Sequence, residues 1–355
     1  MLAAAALVAP ALLTVGASGL APSPAAAVYN DAGMIGFGDV DTSTPAMPQP
    51  LNSPVFSGTA TPDGKGYILA SADGGVFAFG DASFEGSAGA LPLQGPIVAE
   101  ATTNDAKGYW LGALDGGVFA YGDAQFYGSM GGQRLNQPIV GMAATPDGKG
   151  YWLVASDGGI FAYGDAGFYG STGSLVLNQP IIGMMPTLDG RGYWLVARDG
   201  GIFAFGDAAF YGSAASDGLS APVTGAATSF LGGGYWMVDA DGQIYTFGNA
   251  RYEGAPPSAP GGWRITGMAA TNSSNGYWLV SANGYVADYG DAAPYGSMLG
   301  HALNGPVVGI ARTHDGAGYW LQGSDGGIFS FGDAPFMGSM GGQPLNAPVV
   351  GIAAT

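Results

Sequence analysis

The sequence contains no cysteine and very little positive charge. Without cysteine, the chain forms no disulfide, holds no thiolate metal site and has no cysteine nucleophile. Nine lysines and arginines stand against 26 aspartates and glutamates, which gives a net charge of −17. Because a strongly acidic surface repels phosphate backbones, nucleic acid is excluded as a partner.

The residues that catalysis needs are also scarce. The chain has two histidines, His301 and His314, in different predicted turns, and it has no Gly-x-Ser-x-Gly nucleophile motif. No acidic stretch continues with the alternating oxygen ligands of a calcium loop. We therefore expect no enzyme activity, no metal and no cofactor, and we rank a propeller hydrolase or oxidoreductase below the non-catalytic functions.

Glycine, by contrast, is abundant, with 66 residues in 355. Each interior glycine costs a helix roughly 1 kcal/mol relative to alanine, so helices are not the main element. Hydrophobic residues make up 47% of the chain and charged residues 10%, which is enough apolar material to bury. The composition favours a folded, all-β protein.

The first 27 residues differ from all that follow. An Ala/Leu/Val stretch from Leu2 to Leu20 leads through prolines to three alanines that end at Ala27. This order is typical of an export signal, although it lacks a basic start. We predict a signal peptide over residues 1–27, a mature chain that begins near Val28, and a secreted or cell-surface location. The alternative is an uncleaved anchor, because an apolar run of about 20 residues is long enough to span a membrane.

The remainder is an internal repeat with a fixed period of 42 residues. Its most regular feature is a Gly-Tyr pair that begins each copy, at Gly66, Gly108, Gly150, Gly192, Gly234, Gly276 and Gly318. A constant period of this size is the signature of propeller blades.

Each repeat reads as four short strands. The copy at Gly150 runs GYWLVAS, turn DGG, IFAYGDA, FYGS, a polar loop and then PIIGMMP. The apolar runs are short, rich in aromatic and β-branched residues, and bounded by glycine, aspartate or proline. The PIIG-type strand is innermost. The PDGK-type turn joins it to the second strand, the DGG turn joins the second strand to the third, and both are hairpin connections.

Short sheets with two apolar faces must stack, and a ring closes the stack. We predict a β-propeller of seven four-stranded blades over residues 28–355, as one domain and a monomer. A further inner-type strand sequence at 348–355 and a third-strand fragment at 33–39 leave an alternative, eight blades with an incomplete closing blade.

The stretch PIVGMAATPDGKGYWLVASDGGIFAYGDA, residues 138–166, resembles WD-type and kelch-like propeller repeats. It is also similar to the tandem GYWLVASDGGIFAFGDA arrays of secreted proteins from high-GC Gram-positive bacteria. The resemblance covers residues 33–355 and implies an extracellular propeller. Such arrays sometimes accompany cell-wall or esterase modules, but this chain carries no companion module, so the resemblance implies no activity.

Two recurring residue types have structural interpretations. We expect the tryptophans to fill blade interfaces rather than form a sugar platform; they are Trp110, Trp152, Trp194, Trp236, Trp278 and Trp320. We expect the turn carboxylates to bond their own backbone; they are Asp73, Asp115, Asp157, Asp199, Asp241 and Asp325, with Asn283 in the remaining copy.

The candidate binding residues are those that break the repeat on the side of the DGG turns. They are Arg134, Arg198, Trp263, Arg264 and His301. The cations near the PDGK turns recur at equivalent positions and are interpreted as parts of the turn; they are Lys65, Lys107, Lys149 and Arg191.

These observations predict a non-catalytic extracellular or cell-surface module that binds through one propeller face. The expected partner is a cell-wall polysaccharide or an extracellular protein, contacted by an aromatic ring beside arginine. The alternative is a structural spacer or matrix protein, in which repeat-breaking residues are scattered over both faces.

Overall fold

A computed structural model describes residues 55–216, 218–257 and 264–341 of the chain. The predicted signal peptide, Trp263 and the segments 33–39 and 348–355 lie outside the described residues. Within the described part, no helix is long and apolar enough to cross a membrane.

The described residues form an all-β structure of seven three-stranded antiparallel sheets in chain order. The first strands are β1 (Val55–Ala60), β4 (Ile97–Thr102), β7 (Ile139–Ala144), β10 (Ile181–Pro186), β13 (Val223–Thr228), β16 (Ile265–Ala270) and β19 (Val307–Arg312). The second strands are β2 (Gly66–Ser71), β5 (Gly108–Ala113), β8 (Gly150–Ala155), β11 (Gly192–Ala197), β14 (Gly234–Asp239), β17 (Gly276–Ser281) and β20 (Gly318–Gly323). The third strands are β3 (Val76–Gly80), β6 (Val118–Gly122), β9 (Ile160–Gly164), β12 (Ile202–Gly206), β15 (Ile244–Gly248), β18 (Val286–Gly290) and β21 (Ile328–Gly332).

Sheet 1 is β1–β3, and the numbering continues to sheet 7, which is β19–β21. In every sheet the second strand lies between the other two, as the repeat predicts. The one helical element in the described residues is a single 3-10 turn, Phe230–Gly232.

The second strands are buried on both faces because each sheet is covered by its two neighbours. In sheet 3, Tyr151 and Leu153 pack against sheet 2, whereas Trp152 and Val154 pack against sheet 4. The alternation of side chains along a strand thus gives each sheet two apolar faces. Small residues such as Ala143, only 2% exposed, let the first strands of neighbouring sheets approach one another.

The repeated tryptophans lie in these interfaces, as predicted. Each is at most 2% exposed. The Trp110 ring lies 5.5 Å from that of Tyr151 in the next sheet, and the Trp152 ring lies 6.1 Å from that of Tyr193. Removing such a tryptophan side chain typically costs about 3–5 kcal/mol, so these contacts are a main source of stability.

The last sheet packs against the first in the same way. The Trp320 ring of sheet 7 lies 6.4 Å from the Tyr67 ring of sheet 1, and both side chains are buried. The Tyr67 hydroxyl donates to the carbonyl of Gly338, which follows sheet 7. The contacts that join each sheet to its successor therefore recur between sheet 7 and sheet 1.

The prediction of a fourth strand in each repeat is wrong. The FYGS segment is not a strand in any described copy, and its glycine has a φ of +129° to +142°, far from the value of about −140° that is typical of antiparallel strands. Its backbone groups form hydrogen bonds with a tyrosine of the next sheet instead. The Tyr151 hydroxyl of sheet 3 donates to the Gly128 carbonyl at 2.6 Å and accepts the Tyr127 amide at 3.3 Å. The segment therefore links one sheet to the next.

The glycine of this segment gives a direct test of that link. Gly128→Ala should destabilise the protein by about 2 kcal/mol or more, because alanine is strained at this φ and its Cβ would lie 2.5 Å from Cδ1 of Tyr163. The measurement is the thermal unfolding midpoint. Gly89→Ala is the matched control, since its Cβ would meet no atom closer than 3.5 Å. Equal midpoints for the two variants would contradict the assignment.

Candidate binding surfaces

The turns and loops divide into two sets that we name by their sequence motifs. The DGG face consists of the turns between second and third strands, together with the loops that lead into the first strands. Backbone bonds join these parts: the Ser156 amide donates to the Pro138 carbonyl at 2.9 Å, and the Met130 amide donates to the Gly116 carbonyl at 2.8 Å. The PDGK face consists of the turns between first and second strands and the Gly-Asp-Ala segments, joined by bonds such as that from the Asp165 amide to the Lys149 carbonyl at 3.1 Å.

In six of the seven sheets the side chain predicted to hold the DGG turn does so. Asp115 Oδ1 accepts the amide of Gly117 at 3.0 Å. The equivalent bond recurs at Asp73, Asp157, Asp199, Asn283 and Asp325. In sheet 5 the prediction for Asp241 is wrong, because the carboxylate of Asp239 accepts the turn amides instead, including that of Asp241 at 3.0 Å. These carboxylates are structural parts of the turns.

The structure places four of the five predicted binding residues on the DGG face, and Trp263 lies outside the described residues. Arg134, Arg264 and His301 are exposed, and Arg198 is half-buried. Arg264 and His301 flank one turn, that of sheet 6. The Ala282 amide of this turn donates to the Arg264 carbonyl at 2.9 Å, and the His301 loop begins with the Met298 amide, which donates to the turn at 2.8 Å.

Arg134 and Arg198 lie elsewhere on the same face. Arg134 belongs to the loop between sheets 2 and 3, and Arg198 begins the turn of sheet 4. The Nε atom of Arg198 is buried without a hydrogen-bond partner. The structure therefore gathers two of the predicted residues around one turn and leaves the other two on separate sheets.

The cations of the two faces differ in their partners. On the PDGK face each recurring cation pairs with the aspartate two residues before it; the pairs are Lys65–Asp63, Lys107–Asp105, Lys149–Asp147 and Arg191–Asp189. The hydrogen bond from the Lys107 side chain lowers the pKa of Asp105 to about 2. Among the described residues, Arg134, Arg198 and Arg264 form no ion pair, and neither do Arg251 and Arg312, which lie outside the recurring turn positions on the PDGK side. The turn interpretation of the PDGK cations is thus confirmed, and the arginines of the DGG face keep their charge available.

The PDGK turns also bring two carboxylates together. In sheet 7 the Thr313 hydroxyl lies 2.8 Å from Asp315 Oδ1 and 3.2 Å from Asp333 Oδ1. The Ala317 amide, followed by Thr313, lowers the pKa of Asp315. Burial, followed by the hydrogen bond and charge of Asp315, raises the pKa of Asp333. Within the described range, no group of three or more histidines and carboxylates is arranged to hold a metal ion.

One set of exposed side chains was missed by the sequence interpretation. The first residue of the FYGS segment is an aromatic ring that faces solvent; the set, here called the aromatic rim, is Phe84 (60% exposed), Phe126 (60%), Phe168 (62%), Phe210 (61%) and Tyr252 (57%). Consecutive side chains of an extended segment point to opposite sides, so the adjacent Phe-Tyr pairs at 126–127, 168–169 and 210–211 cannot bury both rings. These three pairs were the available signal in the sequence, whereas glutamate follows the ring in the other two copies.

Comparison with known proteins does not assign the chain to a family. No model of a known protein family matches the chain, and no curated protein matches it.

The carboxylate pair of sheet 7 generates a pH-dependent prediction. A raised pKa means that charged Asp333 opposes folding above its folded-state pKa. Asp333→Asn should therefore raise the unfolding midpoint at neutral pH. The gain should shrink as the pH falls through the raised folded-state pKa, and it should be absent below the ordinary aspartate pKa of about 3.9. Sheet 5 already carries Asn249 at this position.

The control is Asp325→Asn in the same sheet, because that carboxylate accepts the Gly327 amide at 3.0 Å and does not share its turn with a second carboxylate. This variant should give no gain at neutral pH. A midpoint for Asp333→Asn that is unchanged or lower at neutral pH would show that the pair is not repulsive.

Proposed function

We propose that the chain is a closed seven-bladed β-propeller with three-stranded blades. The support is the equivalence of contacts around the molecule: Trp320 meets Tyr67 between sheets 7 and 1 as Trp110 meets Tyr151 between sheets 2 and 3. A buried cluster joins these terminal sheets as other clusters join the internal ones. An eighth blade would have to separate these contacts.

Electron-microscopy class averages viewed along the ring axis test this closure. They should show a ring of seven blades, because the terminal sheets already bury the surface that another blade would cover. An open arc, or a ring of eight, would refute it.

We further propose that the protein is an exported, non-catalytic binding module that acts as a monomer. Residues 1–27 read as an export signal, and the resemblance to secreted bacterial arrays points to the cell surface. The two histidines lie on opposite faces, His301 in a DGG-face loop and His314 in a PDGK turn, so they are not placed to act together. The binding hypothesis is therefore preferred over an enzyme.

The observation that carries this proposal is the set of unpaired arginines on the DGG face. In a protein with a net charge of −17, a carboxylate partner is easily supplied, and the PDGK turns supply one to each of their recurring cations. Unpaired arginines offer planar, bidentate donors to carboxylate and hydroxyl oxygens. A cell-wall glycan or the acidic surface of an exported protein provides such acceptors.

Sedimentation with isolated Gram-positive cell walls tests the proposed face. The double variant Arg134→Gln, Arg264→Gln should weaken retention of the full chain about tenfold or more, because arginines are frequent hot spots. The matched control is Lys149→Gln, Arg191→Gln, which removes the same charge from paired positions on the opposite face. It should bind as the parent does.

Protease treatment of the walls separates the two partner classes. Retention that survives treatment indicates a glycan, and retention that is lost indicates a wall protein. Equal weakening by the two double variants would show that retention depends only on net charge, and it would contradict the assignment of binding to the DGG face. No retention of the parent chain on either wall preparation would favour the spacer alternative.

A further inference from the structure

The aromatic rim is a second surface, separate from the DGG face. It lies on the PDGK side, because the tyrosine that follows the exposed ring reaches the next PDGK turn: the Tyr169 hydroxyl donates to the Gly190 carbonyl at 3.1 Å, and the Tyr211 hydroxyl donates to the Gly232 carbonyl at 3.2 Å. The aromatic rim and the arginines of the DGG face therefore lie on different surfaces of the protein.

The exposed rings are not needed to fill the interior. In sheet 3 the following residue, Tyr169, fills the space between the sheets, with its ring 5.8 Å from that of Tyr193, whereas Phe168 stays 62% exposed. A buried phenylalanine contributes roughly 1.5–3 kcal/mol, and an exposed one forgoes most of this. A polar residue would fit these positions equally well, yet six described copies carry an aromatic ring there, five of them exposed and Phe336 half-buried, with Pro294 in the remaining copy.

The backbone holds each of these rings in a defined place. Before Phe168, the Gly167 carbonyl accepts the indole N–H of Trp152 at 2.8 Å. After it, the Tyr169 amide donates to the Tyr193 hydroxyl of the next sheet at 3.2 Å. The same pair of bonds brackets Phe210. The rings are thus presented on a rigid backbone, which lowers the entropy that binding would cost.

The separation of the rings and the carboxylates beside them favour a neutral sugar polymer as the ligand. A protein partner needs about 800 Å² of continuous surface on each side, whereas the rim offers single rings on separate sheets. One ring matches the C–H face of one sugar unit. Exposed carboxylates lie three residues before the rings, at Asp123, Asp165 and Asp207; they accept hydrogen bonds from hydroxyls and repel anions. The repetition suits a polymer of repeated units.

We propose that the aromatic rim binds a neutral polysaccharide, with one sugar unit stacked on each exposed ring. Individual subsites are weak, and the polymer is held by avidity across several sheets. The charged DGG face and the rim thus recognise different chemical groups.

Affinity electrophoresis in native gels tests this proposal, with the full chain run through gels containing dextran, mannan, xylan or laminarin. At least one of these neutral polymers should retard the parent. Phe168→Ala should weaken binding about two- to tenfold, and alanine at all five rim positions should weaken it about a hundredfold or more. Unfolding midpoints should stay unchanged, because the rings are exposed.

Three controls separate ring stacking from other effects. Phe168→Tyr should bind as the parent does, since Tyr252 occupies the equivalent position in sheet 5. Phe168→Leu should bind like the alanine variant, although it stays apolar. Leu175→Ala and Val176→Ala remove exposed aliphatic groups, 57% and 101% exposed, and should have no effect.

Two results would overturn the proposal. The first is a parent chain that no neutral polymer retards, including one that binds only protein or only the acidic polymer polygalacturonate. The second is neutral-polymer binding that survives alanine at all five rim positions. The variant Arg134→Gln, Arg264→Gln should leave neutral-polymer binding intact, so failure of the rim and failure of the DGG face give different patterns.

Discussion

The structure depends on one interface, repeated between successive sheets, in which the tryptophan of one second strand, replaced by Ile68 in sheet 1, meets the tyrosine of the next. The ring of Trp194 lies 6.0 Å from that of Tyr235, and both are buried to within 2%. The tyrosine hydroxyl then crosses to the segment after the preceding sheet and donates to the Gly212 carbonyl at 2.6 Å. A three-stranded sheet of this size is not stable alone, so it is the neighbour that completes each core.

This interface also decides what the surface can do. Since tryptophan and tyrosine satisfy the backbone on both sides of the rim position, the intervening ring is left free to face solvent. The turns are closed by their own aspartates and threonines, so most of their carboxylates and hydroxyls are already engaged. The side chains that turn chemistry does not use include the unpaired arginines of the DGG face and the aromatic rim, and these are the residues through which we propose that the protein binds.

Much of the fold was predictable because the repeat provides its own internal comparison. Period, strand order and hairpin turns follow from the 42-residue register and from short apolar runs bounded by glycine and aspartate. The burial of Trp110 and its equivalents follows from their strict recurrence. The FYGS segment was misassigned because its aromatic residues resemble a strand, whereas its hydrogen bonds go to the next sheet. Strand propensity carries no information about a partner 24 residues further along the chain, as for Tyr127 and Tyr151.

By itself, the sequence determined an acidic, cysteine-free, all-β repeat chain, the order of its strands and the face on which the irregular arginines lie. These properties are local or periodic, and comparison of the repeats along the sequence reveals them. Only the tertiary structure decided which cations are paired, which aromatic rings of the FYGS segments face solvent, and that sheet 7 meets sheet 1 as other sheets meet their successors. Those outcomes depend on contacts between sheets, and the spacing of residues along one repeat does not specify them.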